Sequence, residues 1–253
     1  FIDATGYVTI AERPLNPEDF PGTDPAMLAS GSVVFTSPAH PVSKRDPSRW
    51  WQYIPGANWR HPEGPESNLN NRMNYPVVHV AWEDAVAYAN WIGLRLPTEA
   101  EWELAARGGL DANEFSWGKQ PPSNKHRLAN IFQGLFPHDD TAEDGYAGLA
   151  PVGQFSANNF GLYDVSGNAW EWVENWYDPE EYRQLAKLAD PPLNPRGPSK
   201  VETGALYKVQ KGGSFLCTDQ YCGRFRPGAR GRGEWQTSSN HVGFRLAKDA
   251  TNH

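Results

Sequence analysis

Two cysteines, Cys217 and Cys222, are the only thiols in 253 residues, and they stand five positions apart in Lys211-Gly212-Gly213-Ser214-Phe215-Leu216-Cys217-Thr218-Asp219-Gln220-Tyr221-Cys222. Fully extended, five residue steps hold two Cα atoms roughly 17 Å apart, against about 4.4–6.8 Å across a disulfide. A bend over Thr218-Asp219-Gln220 is therefore needed before the sulfurs can meet. If they meet, they form a redox-active disulfide or offer two soft thiolates suited to Cu(I). Zinc normally takes four ligands, and no further cysteine or clustered histidine pattern completes such a set. Spacing alone also leaves open two small buried apolar residues, because free cysteine is among the most buried residue types.

The elements that must position this segment are few. Trp82 to Trp91 reads as a helix, with Glu83 and Asp84 in its first turn and Gly93 stopping it. Thr98-Glu99-Ala100-Glu101 is a capping box that opens a second helix; Trp102, Ala105 and Ala106 form its apolar stripe and Gly108-Gly109 its end. Residues 1 to 60 show no sustained periodicity apart from a short apolar run, Ser32-Val33-Val34-Phe35, that predicts a strand. After the second helix, Gly161-Leu162-Tyr163 and Trp170-Glu171-Trp172 predict short strands and tight turns. Residues 178 to 204 are proline-rich and predict a long surface excursion.

Composition narrows the class. A chain of this length, 39% hydrophobic, fills one large domain, and 11 Trp, 10 Tyr and 11 Phe beside 24 Gly and 22 Pro favour a loop-rich α+β protein with aromatic packing. The net charge of -7 provides no basic field for nucleic acid. No apolar run approaches the roughly 20 residues that span a bilayer, so no membrane partner is expected. The seven histidines lack His-Glu-x-x-His spacing, and no Gly-x-Ser-x-Gly elbow marks a serine hydrolase.

The segment around the cysteines resembles the active-site strand of formylglycine-generating enzymes, where a Gly-Gly-Ser-aromatic element precedes two catalytic cysteines at this spacing. The resemblance extends through Gly56-Ala57-Asn58-Trp59-Arg60-His61-Pro62-Glu63-Gly64-Pro65, Arg95-Leu96-Pro97-Thr98-Glu99-Ala100-Glu101-Trp102-Glu103, Gly167-Asn168-Ala169-Trp170-Glu171-Trp172 and Val242-Gly243-Phe244-Arg245, in the family's order. The Arg-Leu-Pro-Thr-Glu-Ala-Glu-Trp string is shared by a broader superfamily, which includes inactive paralogues and iron-dependent sulfoxide synthases. It therefore speaks for fold, and the cysteine pair speaks for activity.

The resemblance implies a C-type-lectin-like α+β fold, low in regular secondary structure, as one domain over residues 1–253 that lacks the family's opening strands. It implies that Cys217 and Cys222 hold Cu(I), that a substrate cysteine joins the metal, and that O2 is activated to oxidise its Cβ. The substrate would be an unfolded or nascent sulfatase polypeptide bearing Cys-x-Pro-x-Arg, whose cysteine becomes Cα-formylglycine. Ser214 and Tyr221 match catalytic positions beside the pair; Trp170 and His241 match positions lining the substrate groove. Calcium is implied at two sites: Asn130, Ile131, Asp144 and Tyr146 at the first, and Asp164, Gly167, Ala169 and Glu171 at the second.

Ala89, Leu246, Pro227 and an alanine near Ala106 stand where vertebrate members carry disulfide cysteines, which fits a prokaryotic member that does not depend on structural disulfides; a monomer of the prokaryotic cytoplasm or periplasm is the separate expectation. The other reading kept open is a non-catalytic paralogue that binds peptide or protein and does no chemistry.

Overall fold

The two helices form where their signals place them. In the computed structural model, which describes residues 1–250 except Asp111, 123–127, Pro191, Asn194, 200–203 and Ala205, the chain opens with a single turn α1 (Ile2–Thr5). It continues into an antiparallel pair, β1 (Gly31–Phe35) and β2 (Trp51–Pro55). Helix α2 (Trp82–Trp91) lacks a side-chain cap at Ala81. The Asp84 carboxylate in its first turn accepts the Ala81 N–H at 2.8 Å, the Ile10 N–H at 3.0 Å and the Tyr7 hydroxyl at 3.0 Å, so it also ties the amino-terminal segment down. Helix α3 (Glu99–Arg107) has the expected reciprocal cap: Glu101 N–H donates to Thr98 Oγ1 at 3.2 Å, and Thr98 N–H to the Glu101 carboxylate at 2.8 Å.

Downstream lie a two-residue hairpin, β3 (Gly134–Leu135) and β4 (Asp139–Asp140), then β5 (Trp170–Trp176), a short helix α4 (Glu181–Leu185), β6 (Tyr207–Lys211), β7 (Gly231–Glu234) and β8 (Val242–Phe244). The last four strands make one sheet in the order β7-β6-β5-β8, antiparallel except for β5 against β8, where Trp170 pairs with Val242. This α+β architecture of short strands and few helices matches the expected class. Among the described residues no helix is long and apolar enough to cross a membrane.

Three expectations need correction. Gly161-Leu162-Tyr163 forms a turn and not a strand, because Asn158 gathers it: the Phe160 and Leu162 N–H groups both donate to Asn158 Oδ1 at 3.0 Å. Residues 1 to 60 contain a second strand, β2, which the Trp50-Trp51 aromatic pair concealed. The described part of 178 to 204 carries α4, whose Glu181 is buried.

Buried charges lock α3 to the end of β6. Lys211, with no exposed side-chain surface, lies 3.1 Å from Glu103 and 3.5 Å from Glu99; Arg230 joins Glu99 at 2.8 Å and Glu181 at 2.5 Å. Charges taken out of water need such partners, and removing one partner of a buried pair typically costs about 3–5 kcal/mol. The strand that delivers the cysteine segment is thus fixed at its last residue.

Candidate active site

From Lys211 the chain turns through Gly212 and Gly213, at φ 89° and 74°. A Cβ at Gly213 would sit 2.9 Å from the Phe225 Cα, so this position tolerates glycine for both conformation and space. The turn sends Ser214 inward. Phe215 N–H donates to the Asn168 carbonyl at 2.9 Å and Cys217 N–H to the Ser214 carbonyl at 2.9 Å, while the Cys217 carbonyl accepts Phe132 N–H at 3.0 Å. A second turn follows, in which the Thr218 carbonyl accepts the N–H groups of Tyr221 at 3.1 Å and Cys222 at 2.8 Å. This is the bend the spacing required. It brings the Cys217 and Cys222 sulfurs to 2.7 Å with both cysteines free.

The two thiols differ in environment. Cys217 is buried in the core cluster that also holds Phe115, Trp172 and Phe225; burial, then the neighbouring Cys222, pushes its pKa well up. Cys222 is half-buried. A hydrogen bond from the Cys217 thiol brings its pKa down to about 7 against the cost of burial, helped by the backbone and guanidinium of Arg224. The geometry sets up one thiol as donor and the outer one as thiolate, the reactive form.

Ser214, with 0% exposure, has its hydroxyl 3.1 Å from His241 Nδ1 and accepts Leu216 N–H at 3.3 Å. His241 is half-buried as a residue, and desolvation, with a smaller contribution from His79, lowers its pKa to about 3. It is neutral near pH 7, which leaves Nδ1 able to accept the serine proton. Its ring packs on Trp51, centroids 4.7 Å apart. Tyr221, 40% exposed, lies flat against Phe136 with centroids 4.2 Å apart.

Trp170, expected in the substrate groove, lies largely in the interior. It is 5% exposed and packs in the core cluster of Cys217, because β5 is central in its sheet and pairs there with β8. An open groove of about 890 Å³ runs between residues 59–78 and the β3–β4 hairpin. It reaches Phe215, Leu216 and Asn240, but neither thiol lines it. Pattern reading also missed Trp50, Trp51, Phe136 and Arg224. The adjacent Trp50-Trp51 pair was the available signal, since consecutive large aromatics in a loop-rich region must each find a wall to pack on.

The first set of calcium residues comes together. Asp144 accepts Ile131 N–H at 3.1 Å and Tyr146 N–H at 3.0 Å, and Asn130 Oδ1 is buried with no hydrogen-bond partner. An orphaned amide oxygen beside a buried carboxylate is the kind of donor set a hard cation takes. The second set fits in part. Asp164 Oδ1 is likewise orphaned, but the Glu171 carboxylate already receives Arg245 through both nitrogens at 2.5 and 2.6 Å and the Trp102 indole at 2.6 Å. For copper, the paired sulfurs supply the soft donors Cu(I) selects. No cluster of three or more His, Cys, Asp or Glu side chains suited to a metal occurs among the described residues.

The sequence model of the sulfatase-modifying factor enzyme 1-like domain matches residues 1–250. The chain belongs to the sulfatase-modifying factor family. Within this family it is 47% identical over 253 residues to the formylglycine-generating enzyme of Mycobacterium tuberculosis, covering 98% of this chain and 82% of that protein. It is 48% identical over 250 residues to the formylglycine-generating enzyme of Thermomonospora curvata, covering 98% and 77% respectively. Among solved structures, PvdO from Pseudomonas aeruginosa superposes with a TM-score of 0.56 at 25% identity, covering 73% of this chain and 65% of that one.

Proposed function

We propose that this member of the sulfatase-modifying factor family is a formylglycine-generating oxidase that acts on a cysteine of a sulfatase polypeptide. The observation that carries the reading is the bent Ser214–Cys222 loop, which sets two free sulfurs 2.7 Å apart with the outer thiol acidified. In the overall reaction the substrate's Cβ–S bond breaks and a C=O bond forms. One O2 provides the aldehyde oxygen and a water, sulfur leaves as sulfide, and two external thiols are oxidised to a disulfide. Cu(I), held by Cys217 and Cys222, would supply the one-electron chemistry that O2 requires. The chain's own residues prepare this: Cys222 presents a thiolate at the surface, Cys217 donates to it from the core, and Ser214 is held by neutral His241. Arg224 adds positive charge where the substrate sulfur must sit as an anion. The Asn130–Asp144 loop is assigned to structural calcium.

The test is mass spectrometry of a Cys-x-Pro-x-Arg peptide incubated with the chain, Cu(I), a thiol reductant and air. Conversion to formylglycine that disappears in both Cys217→Ser and Cys222→Ser supports the reading. Conversion that survives in either variant overturns the working pair, and a wild-type chain that binds the peptide without converting it is the non-catalytic paralogue.

A further inference from the structure

The turn between the cysteines is tied down at both of its middle residues, Asp219 and Gln220. Gln220 donates to the Gly134 carbonyl at 2.7 Å and accepts from Lys44 at 3.2 Å. Asp219 is held by Arg226, whose guanidinium reaches back from four residues past Cys222. Its Nη2 donates to Asp219 at 3.0 Å, its Nε to Glu114 at 2.6 Å, and its Nη1 to the Gly223 carbonyl. Asp219 precedes Cys222 by three residues and Gly223 follows it directly, so one planar group brackets the outer cysteine on both sides of the chain. A Cβ at Gly223 would collide with Arg226 Nη1, which gives this glycine its reason. The guanidinium carbon lies 5.3 Å from the Phe115 ring centroid and 5.2 Å from that of Phe225; these two rings stack in the core cluster that holds Cys217.

The Asp219 and Glu114 side chains are largely exposed, and an exposed ion pair alone is worth little. The arrangement gains weight from the guanidinium, whose donors leave in a fixed fork and whose plane is already settled against two aromatic rings. Three acceptors are therefore held with little further loss of freedom. Nothing covalent joins the thiols, so without the bracket Cys222 is free to drift from Cys217. We propose that Arg226 is a positioning residue that preorganises the Cys217–Cys222 pair, keeping both sulfurs at one soft-metal site before a metal arrives. It touches no reacting atom. The catalytic consequence rests on the formylglycine-generating reading, whereas the positioning itself does not.

Metal-free protein equilibrated with glutathione redox buffers reads the positioning without activity. The two thiols close to a disulfide as glutathione disulfide is reduced to two glutathiones, and mass spectrometry counts the thiols trapped at each ratio. Arg226→Lys keeps the charge and loses the fork; it should lower the closing constant about tenfold, the worth of roughly one hydrogen bond, or about 30 mV for this two-electron couple. Asp219→Asn, an exposed and nearly isosteric change, should shift the constant the same way by about threefold and add little in the Arg226→Lys background. Constants equal to wild type, or losses that simply add, overturn the proposal. An arginine that only supports the fold would lower stability to urea and leave the constant unmoved. Competition for Cu(I) against a colorimetric chelator should show a parallel loss in Arg226→Lys, because a preorganised pair has less ordering to do on binding, and unchanged affinity also overturns the proposal. A wild-type chain that converts no peptide while Arg226→Lys still moves the closing constant would sink the formylglycine reading and leave the positioning standing.

Discussion

At the scale of single residues, the site depends on an asymmetry between two identical side chains. Cys217 keeps its proton because burial disfavours its anion, and the proton it keeps stabilises the anion of Cys222. The sign follows directly: the thiolate is the nucleophile and its fraction rises through the pKa, and Cys222 at about 7 lies below the usual thiol near 8.5. In metal-free protein, iodoacetamide should label Cys222 with a rate that rises through a midpoint near 7, and Cys217 should stay unlabelled while the chain is folded. Peptide mapping after timed quenching reads both. A Cys222 midpoint at or above that of an unfolded control would refute the asymmetry. The cysteines were legible in the sequence because their chemistry is a matter of residue type and count. The burial of Trp170 was not, since it depends on which strand lies central in the sheet.

At the scale of elements, helices announced themselves through periodicity and caps, and both long ones fell where the sequence placed them. Among the strands β1 and β5 were legible, through Ser32–Phe35 and Trp170–Trp172, whereas the others are two to five residues long and take their register from partners elsewhere in the chain. The connection that matters most is the glycine pair after β6. Gly213→Ala forces a Cβ against Phe225 in a left-handed conformation, which costs about 1–2 kcal/mol for the backbone alone. The expected result is a stability loss of about 2 kcal/mol or more by urea unfolding, together with loss of preferential Cys222 labelling, because Ser214 and the loop beyond it shift. Unchanged stability would show that the turn relaxes without the glycine. Gly6→Ala makes the matched control: it has the same sign of φ but open space around its Cβ.

At the scale of the whole molecule, loops outnumber ladders, and ions can bear on stability more than in a sheet-rich protein. The orphaned Asn130 oxygen beside Asp144 predicts that calcium raises the thermal midpoint. Calcium at a hundredfold excess over Kd adds about 2.7 kcal/mol, or roughly 5–10 °C for a chain of this length. Calorimetry with calcium and with chelator measures the shift, and the nearly isosteric Asp144→Asn should remove it. The absence of any shift in the wild-type protein would strike out the first calcium site. Oxygen-rich loops gave the sequence no spacing to read, so this site was visible only through the family resemblance, and the orphaned atom is what now supports it.

The pairing of β5 with β8 bears on when the protein becomes competent during its own synthesis. His241 lies beside Ser214 and packs at a tilt on Trp51, and it is held there by strand residues that begin only at Val242. A ribosome that has released the cysteine loop still holds the residues that complete it, and contacts between such distant segments close slowly. The nascent chain therefore carries an exposed thiol before it carries a finished site, and in that interval a thiol-rich compartment protects it better than an oxidising one.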